Sequence, residues 1–340
     1  MVIWRSLIQT IYAKGRVYNY SNTIGRNASS GPGFRHPVDM VLGDDDRTLY
    51  VVNRGDEFQT CQRITMLSTD ETFLGEFGSY GTGPGQFVWP SAIAIDSNKQ
   101  IYIADQWTGR ITVFNPDGDY LKHWGIKGEE PGQLLGPTGL AFDKNNSLYI
   151  TDYISNRVQN FSAEGEYIRS LGETSGNAGF SRPWGLHIDL SENIFIADWN
   201  NHRIQKFGPD GTLMLTIEGE STKEDFRYPS HVTVDSDDDI YISDWWNNKV
   251  LVFDKNGHHI TTFIGNAEEL SGWAQQQMDA SPDHTKGRLL VQDVSEEWRF
   301  NRPTAIVIDK SNRIFIAESQ RMRIQIYKKE SKWENPQFNL

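Results

Sequence analysis

The chain has 340 residues, of which 37% are hydrophobic, 12% aromatic and 23% charged; this is the composition of a globular chain with a large core and it excludes a disordered one. A formal net charge of −12 disfavours nucleic-acid binding, because affinity for phosphate backbones comes mainly from Lys and Arg releasing counterions. The single cysteine, Cys61, cannot form an intramolecular disulfide, and no Cys/His cluster has zinc-finger spacing, so a reducing compartment is the simplest reading.

In chain order, MVIWRSLIQTIYAKG has one early Arg and a short, Gln-interrupted apolar run. It makes a poor signal peptide and is too short to span a bilayer, so a cytoplasmic protein without a membrane span is expected. Residues 1–17 are read as an N-terminal extension. From Pro37 onward short apolar runs separated by turn residues recur, in the pattern of strands rather than helices. Pro37, Pro90, Pro137, Pro183, Pro229 and Pro303 precede VDMVLG, SAIAID, TGLAFD, WGLHID, SHVTVD and TAIVID, at spacings of 53, 47, 46, 46 and 74 residues. Second strands follow as LYVVN, IYIAD, LYITD, IFIAD, IYISD and IFIAE, and third strands as RITML, RITVF, RVQNF, RIQKF, KVLVF and RIQIY.

The expected architecture is all-β, a single closed ring of six four-stranded antiparallel blades at 37–79, 90–126, 137–173, 183–219, 229–265 and 303–328. After RIQIY the tail 329–340 is too polar for a convincing strand, whereas VYNYSNTIG looks like the outer strands YIRSLG and HITTFIG. Tyr18–Gly25 is therefore expected to close the ring as the outer strand of blade 6, against Arg323–Tyr327. The extra residues 266–300 between blades 5 and 6 form an insertion: AEELSGWAQQQMDA reads as a short helix, SPDHTKG as a turn and RLLVQDVSEEWRF as a second ordered element.

The pattern Pro-x-Gly-Ile/Leu-x-x-Asp, then Ile/Leu-Tyr/Phe-Ile/Val-Ala/Ser-Asp, then Arg-Ile/Val-Gln-x-Phe/Tyr resembles the NHL repeat of six-bladed β-propellers over nearly the whole chain. The linkers GTGPGQFVWP and KGEEPGQLLGP fit the same family. The resemblance implies the propeller fold and leaves function open, since the family includes a peptide-amidating lyase, sensor domains and RNA- or protein-binding modules. The family's lyase carries zinc on histidines directly after three of the blade prolines. Here those positions are Val38, Ser91, Thr138, Trp184, Ser230 and Thr304, so a zinc amidating lyase is not expected.

Pairs such as Asp105 with Arg110, Asp152 with Arg157, Asp198 with Arg203, Asp244 with Lys249 and Glu318 with Arg323 recur in almost every blade and read as structural ion pairs. Groups that break the symmetry are better functional candidates. Asp39, His187 and His231 replace small residues on the inner strands, and His36 precedes its proline. Imidazoles with a carboxylate suit a divalent metal in the central channel, or acid–base catalysis by a metal-assisted lyase or hydrolase; the plainer alternative is hydrogen bonding between blades. The loops after the second strands carry Trp107, Tyr153, Trp199, Trp245 and Trp246, and Trp184 lies near the same face. With Ser91, Thr138 and Ser230 they outline a surface for a small neutral or cationic ligand or a protein partner. The insertion, through Trp273 or Trp298, is expected to cover this surface as a lid or docking arm. The acidic runs Asp235–Asp239 and Asp117–Asp119 suggest calcium but sit at hairpin turns, where Asp is favoured anyway.

Overall fold

In the computed structural model, which describes residues 10–56, 60–171, 179–219 and 225–331, the alternating apolar runs form six sheets around one axis. Each begins with a proline-led inner strand: Pro37–Leu42, Pro90–Ile95, Pro137–Phe142, Pro183–Ile188, Pro229–Val234 and Pro303–Ile308. Proline suits this place because the strand starts there and the missing N–H breaks no ladder. The second strands are buried at nearly every position, since both of their faces pack against neighbouring blades. The core is accordingly a ring of interblade seams, such as Phe195, Val232, Ile242 and Phe253 between blades 4 and 5.

The ring is closed from both ends of the chain. Arg16–Ile24 pairs antiparallel with Arg323–Lys329, from Tyr18 opposite Lys329 to Ile24 opposite Ile324. Beyond it lies a fifth strand, Thr10–Ala13, which the sequence reading left in the extension. Lys14 and Gly15, both at positive φ, make the two-residue turn that folds it back. Closure is reinforced by the run Asp235–Asp239. Lys329 Nζ, almost fully buried, lies 2.6 Å from Asp235, 2.8 Å from Asp237 and 2.8 Å from Asp239, and Arg16 pairs with Asp239 at 2.9 Å. A Lys and an Arg of the closing sheet thus engage three of the four aspartates of the run that suggested calcium.

The second-strand carboxylates act differently from simple ion pairs. Asp105 accepts the N–H groups of Val88 and Trp89 in the incoming linker and of Trp107 and Thr108 in its own loop. Asp152 does the same for Leu135, Gly136, Ile154 and Ser155. Arg110 and Arg157 turn instead to linker carbonyls, of Thr82 and of Glu129, Glu130 and Gln133. Direct pairs form at Asp198–Arg203 and Glu318–Arg323, each at 2.7 Å. Both partners therefore hold the linker on the blade, and the ion pairing expected at Asp105–Arg110 and Asp152–Arg157 is corrected to these linker bonds.

The insertion contains three helices, α1 (Gly272–Asp279), α2 (Pro282–Leu289) and α3 (Ser295–Trp298). The segment read as a turn is α2; Pro282 at its start, Asp283 in its first turn and Lys286 and Arg288 in its last suit a helix. The insertion does not cover the channel. Ser271, which caps α1, donates to Gly25 O at 2.6 Å, and Trp273 N donates to Glu71 at 3.2 Å. The Trp273 ring is buried with Ile24, Phe34, Met40 and Leu49 at the seam between blades 6 and 1. An apolar ring plugging the seam where the two chain ends meet stabilises closure more than it could at a wet channel mouth. Trp273→Ala should therefore lower stability by about 3 kcal/mol, the usual cost of emptying a buried aromatic site, as a shift in the urea unfolding midpoint. A shift too small to measure would mean that the arm does not brace the ring.

Candidate functional site

The inner strands enclose a channel cavity of about 410 Å³, running from Trp184, Ser230 and Thr304 at the linker face to Asp44 and Lys310 at the hairpin-turn face. Asp39, His187 and His231 all line it, as side chains two and four residues after their prolines should. Asp39 approaches His231, Oδ1 to Nε2 at 3.9 Å. Asp39 is buried and accepts the N–H groups of Met40 and Ile93, each at 2.9 Å. Burial, partly offset by these bonds, raises its pKa to about 7. Burial likewise lowers His231 to about 3 and His187 to about 4, so both imidazoles are neutral near pH 7.

The channel metal expected from the sequence is not supported by this arrangement. Among the described residues no three His, Cys, Asp or Glu side chains gather as metal ligands. Both Asp39 oxygens face backbone N–H groups, and His187 Nδ1 contacts Thr233 Oγ1 at 3.4 Å. What the channel holds is a buried carboxyl group facing a neutral imidazole at 3.9 Å.

Ser91, Thr138 and Ser230, expected to meet a ligand, are already engaged, as is Thr304. Ser91 donates to Pro137 O at 2.7 Å, Thr138 to Pro183 O at 3.0 Å, Ser230 to Pro303 O at 2.9 Å and Thr304 to Pro37 O at 3.0 Å. Each joins its inner strand to the next around the ring. The equivalent residues of blades 1 and 4 are Val38 and Trp184, which have no hydroxyl and both line the mouth.

At that mouth, on the linker face, lies a second cavity of about 490 Å³. Trp184, Trp199 and Trp245 form its aromatic side, and His36, Arg54 and Asp56 approach from blade 1. It shares Val38, Trp184, Ser230 and Thr304 with the channel, so the two are continuous. The rings form an arc: Tyr153 to Trp184 at 5.5 Å, Trp184 to Trp199 at 6.3 Å, Trp199 to Trp245 at 6.2 Å and Trp245 to Trp246 at 6.3 Å. Tyr228 packs behind Trp199 at 4.3 Å. Trp199 is placed by a single 3-10 turn, Trp199–Asn201, that ends at His202 in the left-handed conformation.

The structure thus brings together His36, Trp184, Trp199, Trp245 and Ser230, with Tyr153 and Trp246 extending the arc. Trp107 stands apart against Trp89 at 6.2 Å, and Ser91 and Thr138 lie in the channel. Trp273 and Trp298 line neither cavity, and the expected lid is corrected to a brace at the ring's seam. Arg54 and Asp56 escaped the sequence reading. Their signal was the first spacing, 53 rather than 46 or 47, which reflects the longer loop between Asn53 and Arg63. Arg35 pairs with Asp56, whose carboxylate also lies 3.6 Å from His36 Nε2.

Family models match residues 96–172 as a 6-bladed beta-propeller and residues 180–207 and 226–253 as NHL repeats. The chain is therefore an NHL-repeat propeller of six blades. Among solved structures it is similar to a protein of unknown function from Bacteroides thetaiotaomicron, with 20% identity and a TM-score of 0.62, over 93% of this chain and 76% of that one. It is also similar to virginiamycin B lyase from Staphylococcus aureus with quinupristin, at 13% identity and a TM-score of 0.57, over 92% and 99%. A gluconolactonase from Xanthomonas campestris matches at 13% identity and a TM-score of 0.61, over 93% and 90%. At these identities the likeness is one of fold. None of the curated proteins matches the chain.

The channel groups predict a pH dependence. Because His231 is depressed to about 3, the unfolded chain binds more protons than the native one between about pH 3 and 6.5, so this group removes stability as pH falls through that window. His187 acts in the same direction, while Asp39, raised to about 7, works against them. His231→Gln should therefore lose less stability than the wild type between pH 6.5 and 4.5, measured as urea midpoints at the two pH values. Parallel losses in both proteins would contradict the buried, neutral state of His231.

Proposed function

We propose that the protein binds a small ligand with a flat apolar body in the mouth cavity, between the Trp184–Trp199–Trp245 arc and the blade 1 loop. The observation that carries this reading is the convergence of three half-buried tryptophans on one concavity large enough for a small molecule. Tryptophan supplies rigid area at low entropic cost, and a concave face removes more of a ligand from water than a flat one. The absence of the expected hydroxyls at Val38 and Trp184 suits an apolar ligand further, because nothing polar there would be left unpaired.

A second reading, a lyase or hydrolase, is favoured by the Asp39–His231 pair, which lies in the channel continuous with this cavity and holds groups suited to taking and giving a proton. In that case the mouth cavity would hold the substrate and the pair would act from below. The binding reading needs only the cavity and is the one stated here.

A neutral flat probe, 2-naphthamide, tests it by quenching of tryptophan fluorescence. Trp199→Ala and Trp245→Ala should each weaken binding by roughly tenfold, the loss typical of a central aromatic contact. Trp273→Ala should leave the affinity unchanged. Unaltered binding in the first two variants, or loss in the third, would refute the assignment.

A further inference from the structure

The charge of the ligand follows from Arg54. We infer that the mouth cavity takes a carboxylate-bearing ligand, its anionic end received by Arg54 and its flat body laid against Trp184, Trp199 and Trp245. The inference rests on the reading just given and adds a charge opposite to the one that the sequence suggested.

Arg54 opens the long blade 1 loop and lines the cavity. Its backbone N–H donates to His36 O at 3.2 Å, which fixes its base. In the side chain, Nε donates to Pro90 O at 3.2 Å and one Nη2 hydrogen to Gln106 Oε1 at 2.9 Å. Both acceptors are neutral. Among the described residues, no carboxylate lies within ion-pair distance of this guanidinium, and Nη1 has no partner. The two nearby acids are committed elsewhere: Asp56 to Arg35 and His36, and Asp105 to four backbone N–H groups.

A second cation adds to the imbalance. The Arg302 guanidinium stacks 3.8 Å over Trp245, and its Nη1 is buried without a hydrogen-bond partner. In a chain of net charge −12, Arg54 thus brings to the mouth a positive charge with no ion-pair partner among the described residues. Burial drives Arg54 in the same sense, lowering its pKa to about 10, which is the mark of a charge short of partners.

The free hydrogens of Nη1 and the second hydrogen of Nη2 form a fork matched to a planar carboxylate. A dianionic phosphate would need more donors than this largely apolar lining offers, with Ser230, Thr304 and Ser319 already bonded to Pro303, Pro37 and Arg302 carbonyls. A cationic ligand would meet Arg54 head on.

Three probes of one shape separate the possibilities: 2-naphthoate, 2-naphthamide and (2-naphthylmethyl)trimethylammonium, titrated against the full chain by tryptophan fluorescence. Naphthoate should bind at least about tenfold tighter than naphthamide, and the ammonium probe weakest. In Arg54→Met the naphthoate advantage should fall to about one while the urea unfolding midpoint stays at the wild-type value, which shows that the ring is intact. Arg54→Lys, which keeps the charge without the fork, should retain part of the advantage. Equal naphthoate and naphthamide affinities in the wild type, a preference for the ammonium, or an advantage that survives Arg54→Met would overturn the inference while leaving the cavity reading standing. Failure of all three probes to bind would instead remove the cavity reading and this inference with it.

Discussion

The hydrogen bond that passes from the residue after an inner-strand proline to the proline carbonyl of the next blade is the constraint on which the rest of this molecule depends. Sheets with apolar faces can bury both only if each finds a neighbour on either side, so the ring must close and every blade must sit at the same height. Ser91, Thr138, Ser230 and Thr304 fix that height at four of the six seams. Asp105 and Asp152 then hold the linkers to the blades, and Lys329 and Arg16 hold the closing sheet to blade 5.

The candidate site is built where this arrangement is interrupted. Blades 1 and 4 carry Val38 and Trp184 in place of a hydroxyl, and the mouth cavity lies between them. Blade 1 departs a second time, by ending its second strand in Asn53 and running into a longer loop that presents Arg54 and Asp56. Symmetry supplies a rigid rim, and its local failures supply shape, apolar area and charge. Beneath the mouth, Asp39 and His231 are a third departure, with burial raising the Asp39 pKa to about 7 and keeping His231 neutral.

Much of the fold was legible in the sequence because each repeat states its strands in the same order, bounded by proline, aspartate and arginine. The closing strand was legible for the same reason, as VYNYSNTIG is an outer strand without the rest of its blade. The aromatic arc was legible as a set of loop positions, but not as a contiguous surface, since Trp107 is of the same type and falls elsewhere. Three features were not legible. The roles of Ser91, Thr138 and Ser230 depend on carbonyls 45 to 73 residues away. The seat of the insertion depends on Trp273 finding Ile24 and Phe34 from the other end of the chain. Arg54 was not singled out because its neutral partners, Pro90 O and Gln106, belong to the next blade.

The central claim, that ligands enter at the linker face and rest on the tryptophan arc, is tested most directly by a crystal structure of the protein soaked with a mixture of flat aromatic acids and amides. The account predicts ordered density in the mouth cavity, in contact with Trp184, Trp199 and Trp245. Density confined to the hairpin-turn end of the channel, near Asp44 and Lys310, or to the insertion around Trp273, would contradict it.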